Sequence, residues 1–239
     1  MTQQQQAPRI GGKGKAGIAL GLAGAVALII ANVFDLEGGF VDHPNDPGGA
    51  TNHGITEQVA RDHGYQGDMR DLKRNCPAQL EMLVASRASG DGQAQVQEVC
   101  ADAILFESYI AAPRFLDLIA IDPAVAEEVI DTGVNMGPAR PSRFFQRAVN
   151  RVCNTTLDDD GRIGPITLRA WSDCRANLGA RSCVAMLDDL DRQQANEYDR
   201  LIRRNPRLRV FRRGWMNHRI GNVSRTFCYA PPPAVAGGE

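Results

Sequence analysis

The chain has 239 residues, 43% of them hydrophobic, enough for one large core or two small ones, and a net charge of −1 at pH 7. That balance excludes a global field for capturing nucleic acid. The six cysteines form no CxxC pair, which argues against zinc-ribbon and thioredoxin chemistry.

Residues 1–15 form a polar, Gln-rich and basic tail. Ala16 to Phe34 is a run of 19 residues without charge: nine are Leu, Ile, Val or Phe, nine are Ala or Gly, and one is Asn32. As a helix it spans roughly 28 Å, close to the ~30 Å of a bilayer's hydrocarbon core. Its insertion free energy is only about −3 to −5 kcal/mol before Asn32 and the glycines subtract, a marginal span. Arg9, Lys13 and Lys15 precede it while Asp35 and Glu37 follow, so the body of the chain is expected on the outer side. A cleaved signal peptide, a permanent anchor and a signal-arrest-release segment that later leaves the membrane all fit. The Ala/Gly-rich composition favours the last. A buried core helix is disfavoured by the basic flank and the N-terminal position.

Residues 38–55 are dense in Gly, Pro, Asn and Asp, predicting tight turns and a short hairpin. Thr56 is a candidate N-cap for a helix ending near Gly64. Helical spacing recurs over Gln79–Ala88 and Gln95–Ile110, and Asp122-Pro123 starts another helix. Ser142–Val152 is amphipathic. The turn Asp158 to Pro165 leads into a helix with Leu168 and Trp171, then a longer one carrying Cys183, Leu190, Tyr198 and Ile202 on one stripe. Arg200 to Arg225 holds nine arginines and no acid, read as a solvated helix face and loop. The fold class is therefore mainly α, with a small β or irregular corner near residues 38–56, preceded by one N-terminal apolar helix.

An even cysteine count behind an export signal implies up to three disulfides; Cys76 and Cys100, which bracket a polar insertion, are the favoured pair. His43, His53 and His63 recur every ten residues, yet no helix-borne pair accompanies them and no metal site is expected. Asp158-Asp159-Asp160-Gly161 lacks the remaining ligands of a calcium loop and reads as a turn.

Glu37 follows the apolar run and precedes two glycines, a helix C-terminus. The negative end of the helix dipole and partial burial beside Phe34 or Phe40 both disfavour its ionisation. A carboxyl kept protonated suits donation to a leaving glycosidic oxygen. Asp46, in the turn-rich segment, stays ionised, and Thr51 supplies a hydroxyl that can hold a water.

Glu37-Gly38-Gly39-Phe40, Asp46-Pro47-Gly48-Gly49-Ala50-Thr51-Asn52 and Gly54-Ile55-Thr56 resemble the signature of family-108 glycoside hydrolases, lysozyme-like muramidases found among phage endolysins. Gly64-Tyr65 and Gly67 to Leu72 fit the same family. Asp131 to Pro138, Gln146 to Asn150 and Asp160 to Thr167 resemble the peptidoglycan-binding region that follows it. The resemblance covers residues 34–215 and implies a lysozyme-like α+β fold. It implies catalytic Glu37, Asp46 and Thr51, substrate-binding Asn52, Tyr65 and Asn135, and no cofactor. The Asp46-to-Thr51 spacing is one residue shorter than in the best-known such endolysins, with Asn52 as the fallback; residues 75–100 look like an insertion.

The organisation expected is a cytoplasmic tail at 1–15, the apolar segment at 16–34, a catalytic region at 35–122, a helical peptidoglycan-binding-like region at 123–225 and a loose tail at 226–239. The expected protein is a monomeric endolysin that cuts peptidoglycan glycan strands, binds no nucleic acid, and is held at the inner membrane before release to the periplasm. A non-catalytic peptidoglycan-binding protein and a lytic transglycosylase are the rival functions.

Overall fold

The computed structural model describes residues 21–36, 39–42, 49–90 and 99–233. The first element is α1 (Leu22–Leu36). Ala25, Val26, Ile29, Ile30, Val33 and Phe34 are buried on it at the three- and four-residue spacing of one helical face. That face packs against α3 (Pro77–Ser89), α5 (Phe115–Ile121) and α6 (Pro123–Met136). Asn32, the one polar residue of the apolar run, donates to Glu127 Oε1 at 2.9 Å.

A core helix, disfavoured on sequence grounds, is thus what residues 22–36 form. The basic flank that argued against it lies in residues 1–20, outside those described. The alanines and glycines that make the segment a weak span also make a slim helix that neighbours can approach. Its 15 residues span roughly 22 Å. Among the described residues no helix is long and apolar enough to cross a membrane.

The irregular corner follows. β1 (Thr51–Asn52) and β2 (Ile55–Thr56) pair antiparallel, Thr51 opposite Thr56 and Asn52 opposite Ile55. His53 and Gly54 turn the hairpin with φ of 53° and 73°, the doubly left-handed backbone of a type I′ turn. On the other side of Thr51, Val41 exchanges both backbone hydrogen bonds with it at 2.8 and 2.7 Å. Thr56 Oγ1 then accepts from Val59 N at 3.4 Å and starts α2 (Glu57–Asp62), which ends before Gly64 as its sequence predicts.

The remaining helices are α4 (Ala101–Leu105), which continues as a π-helical turn over Phe106–Ala111, then α7 (Ala139–Cys153), α8 (Pro165–Leu178), α9 (Ala180–Arg204) and α10 (Arg212–His218). Of the helix expected over Gln95–Ile110, residues 95–98 lie outside those described; α4 starts at Ala101, where Cys100 Sγ accepts from Ala103 N at 3.3 Å. Asp122 caps α6 by accepting from Val125 N, with Pro123 in the first turn.

One continuous apolar core runs from Ala25 to Cys228. Its largest fully buried side chains include Phe106, Phe115, Phe145 and Trp171, the last two edge to face at 6.0 Å. Disulfides Cys76–Cys100, Cys153–Cys174 and Cys183–Cys228 close it, the first being the pair favoured from sequence.

Buried acids pair with the basic C-terminal stretch. Asp131 takes Arg219, and Asp191 takes Arg225 and accepts from Gly221 N at 2.8 Å. Between them Glu128 is buried with both carboxylate oxygens unpartnered, and burial first, then Asp191 and Asp131, push its pKa well above the usual carboxylate range. Arg200 and Arg212 pair with Glu197 and Asp199. Arg219 and Arg225 therefore tie the C-terminal stretch to α6 and α9, where the sequence predicted a solvated face.

Candidate active site

The C-terminal end of α1 is held in place by one arginine. Arg74 lies over the Phe34 ring at 4.8 Å and pairs with Asp35 at 3.7 Å. The Phe34 ring also meets His53 of the hairpin turn edge to face, with centroids 5.9 Å apart. Burial, and then Arg74, lower the His53 pKa and so favour its neutral form. The hairpin is thereby fixed against the end of the helix that Glu37 follows in sequence. Glu37 itself and Asp46 lie outside the described residues.

Thr51 and Asn52 are adjacent in β1 and so point to opposite faces. Asn52 points inward, is buried, and donates Nδ2 to Met69 O at 2.7 Å. That bond ties the hairpin to the 3-10 turn Met69–Asp71 and commits the amide to the fold. Thr51 points to the outer face, half-buried. Tyr65 completes the corner: its hydroxyl donates to Asp68 O at 2.8 Å. A Cβ on residue 67 would come within 2.6 Å of that hydroxyl, so a side chain there would displace the Tyr65 ring.

A cavity of about 260 Å³ opens at this corner, lined by Phe40, Asp42, Ala50, Glu57, Arg61, Asp68, Met69 and Arg70. Arg61 pairs with Glu57 at 2.8 Å and donates to the carbonyls of Tyr65 and Gly67 at 2.8 and 2.9 Å. Arg70 lies over the Phe40 ring at 4.7 Å. The structure so gathers Thr51, Asn52 and Tyr65 in one corner. It adds Glu57, Arg61 and Arg70, which sequence reasoning passed over; the four-residue Glu57–Arg61 spacing on α2 was the available signal.

Asn135 is at the end of α6, where its Oδ1 accepts from the Tyr198 hydroxyl of α9 at 3.2 Å. The suspected calcium turn is internally paired: Asp160 accepts from Gln146 at 2.8 Å and Arg162 N at 2.9 Å, and Asp159 pairs with Arg147. Of the three spaced histidines, His43 lies outside the described residues. His63 is engaged by Val59 O at 2.9 Å and Ser108 at 3.1 Å. Among the described residues no group of three His, Cys, Asp or Glu is placed to hold a metal ion.

The sequence motifs and the helix-plus-hairpin corner agree with what comparison with known proteins finds. Residues 30–137 match the glycosyl hydrolase 108 family, and residues 140–220 match the Predicted Peptidoglycan domain. The two matched regions support a lysozyme-like glycoside hydrolase with a peptidoglycan-binding region behind it. The solved structure of Brucella abortus SagA is similar, with a TM-score of 0.51 and 26% identity, over 86% of this chain and 94% of that one. The comparison with curated proteins returned no match. The glycosyl hydrolase match takes in the last turns of α1, the hairpin corner and α6, so the core helix is part of the hydrolase unit.

Proposed function

We propose that this hydrolase cuts the β-1,4 bond between N-acetylmuramic acid and N-acetylglucosamine in peptidoglycan. The observation that carries the reading is the family-108 match over Glu37, the hairpin and Tyr65, joined in one chain to a peptidoglycan domain. Glu37 protonates the leaving oxygen. Asp46 stabilises the oxocarbenium-like transition state or activates water, and Thr51, on the outer face of β1, positions that water. Mass spectrometry of digested sacculi tests this: wild type releases reducing N-acetylmuramic acid ends and Glu37→Gln releases none. An anhydro product would make the enzyme a lytic transglycosylase; binding without products would make it a non-catalytic module.

We further propose that the chain acts as an endolysin outside the cytoplasm, held at the inner membrane by residues 16–34 until it folds. The uncharged run of residues 16–34 behind a basic flank motivates this reading, and the buried face of α1 makes its consequence testable. Val26, Ile29, Ile30 and Val33 cannot lie in a bilayer and in the core at once, so a membrane-held chain lacks the core beneath its site. Ala27 is exposed and Ala31 half-buried on α1. Ala27→Leu with Ala31→Leu should therefore strengthen insertion, delaying lysis and enriching the enzyme in the membrane fraction. Lysis as fast as wild type would overturn the membrane step.

A further inference from the structure

The outer end of the peptidoglycan domain presents a ladder of rings. Tyr198 of α9 is fully buried, Trp215 of α10 stacks on it with centroids 4.6 Å apart, and Phe211 lies 5.8 Å beyond Trp215. The innermost ring is fixed by its hydroxyl, which donates to Asn135 Oδ1 and lies 3.3 Å from Gln194 Nε2. The outermost is offered to solvent: Phe211 is 55% exposed and its neighbour Val210 77%. A core has no use for these last two side chains, and a rigid, half-exposed aromatic edge is what a pyranose ring stacks its C–H face upon.

Charge surrounds the rings. Arg203, Arg207, Arg209 and Arg213 are exposed and have no ion pair among the described residues; Arg204, also exposed, lies near enough to Glu197 to help lower its pKa. The nearby acids are already engaged, Glu197 by Arg200 and Arg140, Asp199 by Arg212. Guanidinium groups pair bidentately with carboxylates. A ligand that fits both features is a sugar chain bearing carboxylates, and peptidoglycan, with its acidic stem peptides, has that chemistry.

The platform also lies toward the end of the molecule to which α1 leads. Ala25 and Ile29 of α1 flank Asp122 to Ala124 of α6, and Asn32 bonds Glu127 further along, so the two helices run in the same sense. Asn135, which holds Tyr198, is at the far end of α6.

We infer that Phe211, Trp215 and the arginines 204, 207, 209 and 213 form a peptidoglycan-holding surface, the rings taking a sugar and the guanidiniums the stem-peptide carboxylates. This rests on the proposed peptidoglycan substrate. The test is co-sedimentation of the full-length chain with purified sacculi. Arg207→Glu with Arg209→Glu should lower affinity about tenfold, and Phe211→Ala several-fold. Arg169→Glu with Arg181→Glu, the same charge change on exposed arginines elsewhere, should lower it by less than about twofold. Equal losses in the two double variants, or an unchanged Phe211→Ala, would overturn the inference. So would loss of binding to phosphatidylethanolamine–phosphatidylglycerol vesicles with sacculus binding intact, which would assign the surface to a membrane. Sacculus binding that needs this surface, in a chain releasing no glycan products, would sink the hydrolytic reading and leave this one standing.

Discussion

At the level of single residues, the site corner depends on groups whose roles differ from their neighbours' by one position. Asn52 is committed inward to Met69 O, and Thr51, next to it, faces out. Asn52→Ala removes the shorter of two donors to the Met69 carbonyl, which keeps Leu72 N at 3.3 Å, and should cost about 0.5–1.5 kcal/mol, read as a lower thermal midpoint. Thr51→Ala should leave that midpoint within about 2 °C of wild type while reducing glycan release, since an exposed-face hydroxyl adds little to folding. Asp102 of α4 has one carboxylate oxygen buried without a partner, and burial, opposed by Arg74, raises its pKa to about 6. The unfolded carboxyl ionises near its ordinary value of 3.8, so the folded state loses stability as pH rises from there through about 6. Asp102→Asn removes that loss. It should melt higher than wild type at pH 7 and no higher at pH 4, as scanning calorimetry at the two pH values would show. The cap at Thr56 and the helix start at Asp122-Pro123 were legible in sequence, because each needs only its own next three residues. The inward commitment of Asn52 was not, because its partner Met69 is set by the path of the intervening chain.

At the level of elements, α1 carries the most consequence. Its composition is shared by a weak membrane span and a slim core helix, and only the partners on its buried face separate the two. Ile30 sits on that face, almost fully buried. Ile30→Ala should cost about 2–5 kcal/mol in thermal unfolding, a core-cavity penalty that a frayed or membrane-only segment would not show. The start of α6 is a second junction. Asp122 caps the helix and pairs with Arg175 of α8 at 2.6 Å, and Arg175 also donates to Cys228 O at 3.0 Å. Asp122→Ala removes the cap and leaves Arg175 half-sheltered without its carboxylate. A loss of about 3 kcal/mol or more in urea unfolding is expected.

At the level of the whole molecule, hydrolase and peptidoglycan regions share one core, and disulfides brace it at three places. Cys183–Cys228 closes a separation of 45 residues and pins the C-terminal turn Arg225–Tyr229 to α9. On chain-entropy grounds its removal should cost about 4 kcal/mol. Cys183→Ser with Cys228→Ser should therefore lower the thermal midpoint, as should a reducing agent on wild type, and neither treatment should shift a chain already lacking all three bridges.

The sequence by itself determined what depends on neighbours along the chain. It specified a mainly helical body, the turn-rich corner with its hairpin, the helix starts at Thr56 and Asp122-Pro123, and the family signature around Glu37. Those features follow from short-range sterics and hydrogen bonding, which a few residues suffice to specify. Tertiary structure alone decided which face of residues 22–36 is buried and against what. It decided that Arg219 and Arg225 answer acids on α6 and α9, and that Tyr198, Trp215 and Phe211 meet in one ladder. Burial and ion pairing are properties of what the folded chain brings together across dozens of residues, and no local pattern in these segments encodes the partner.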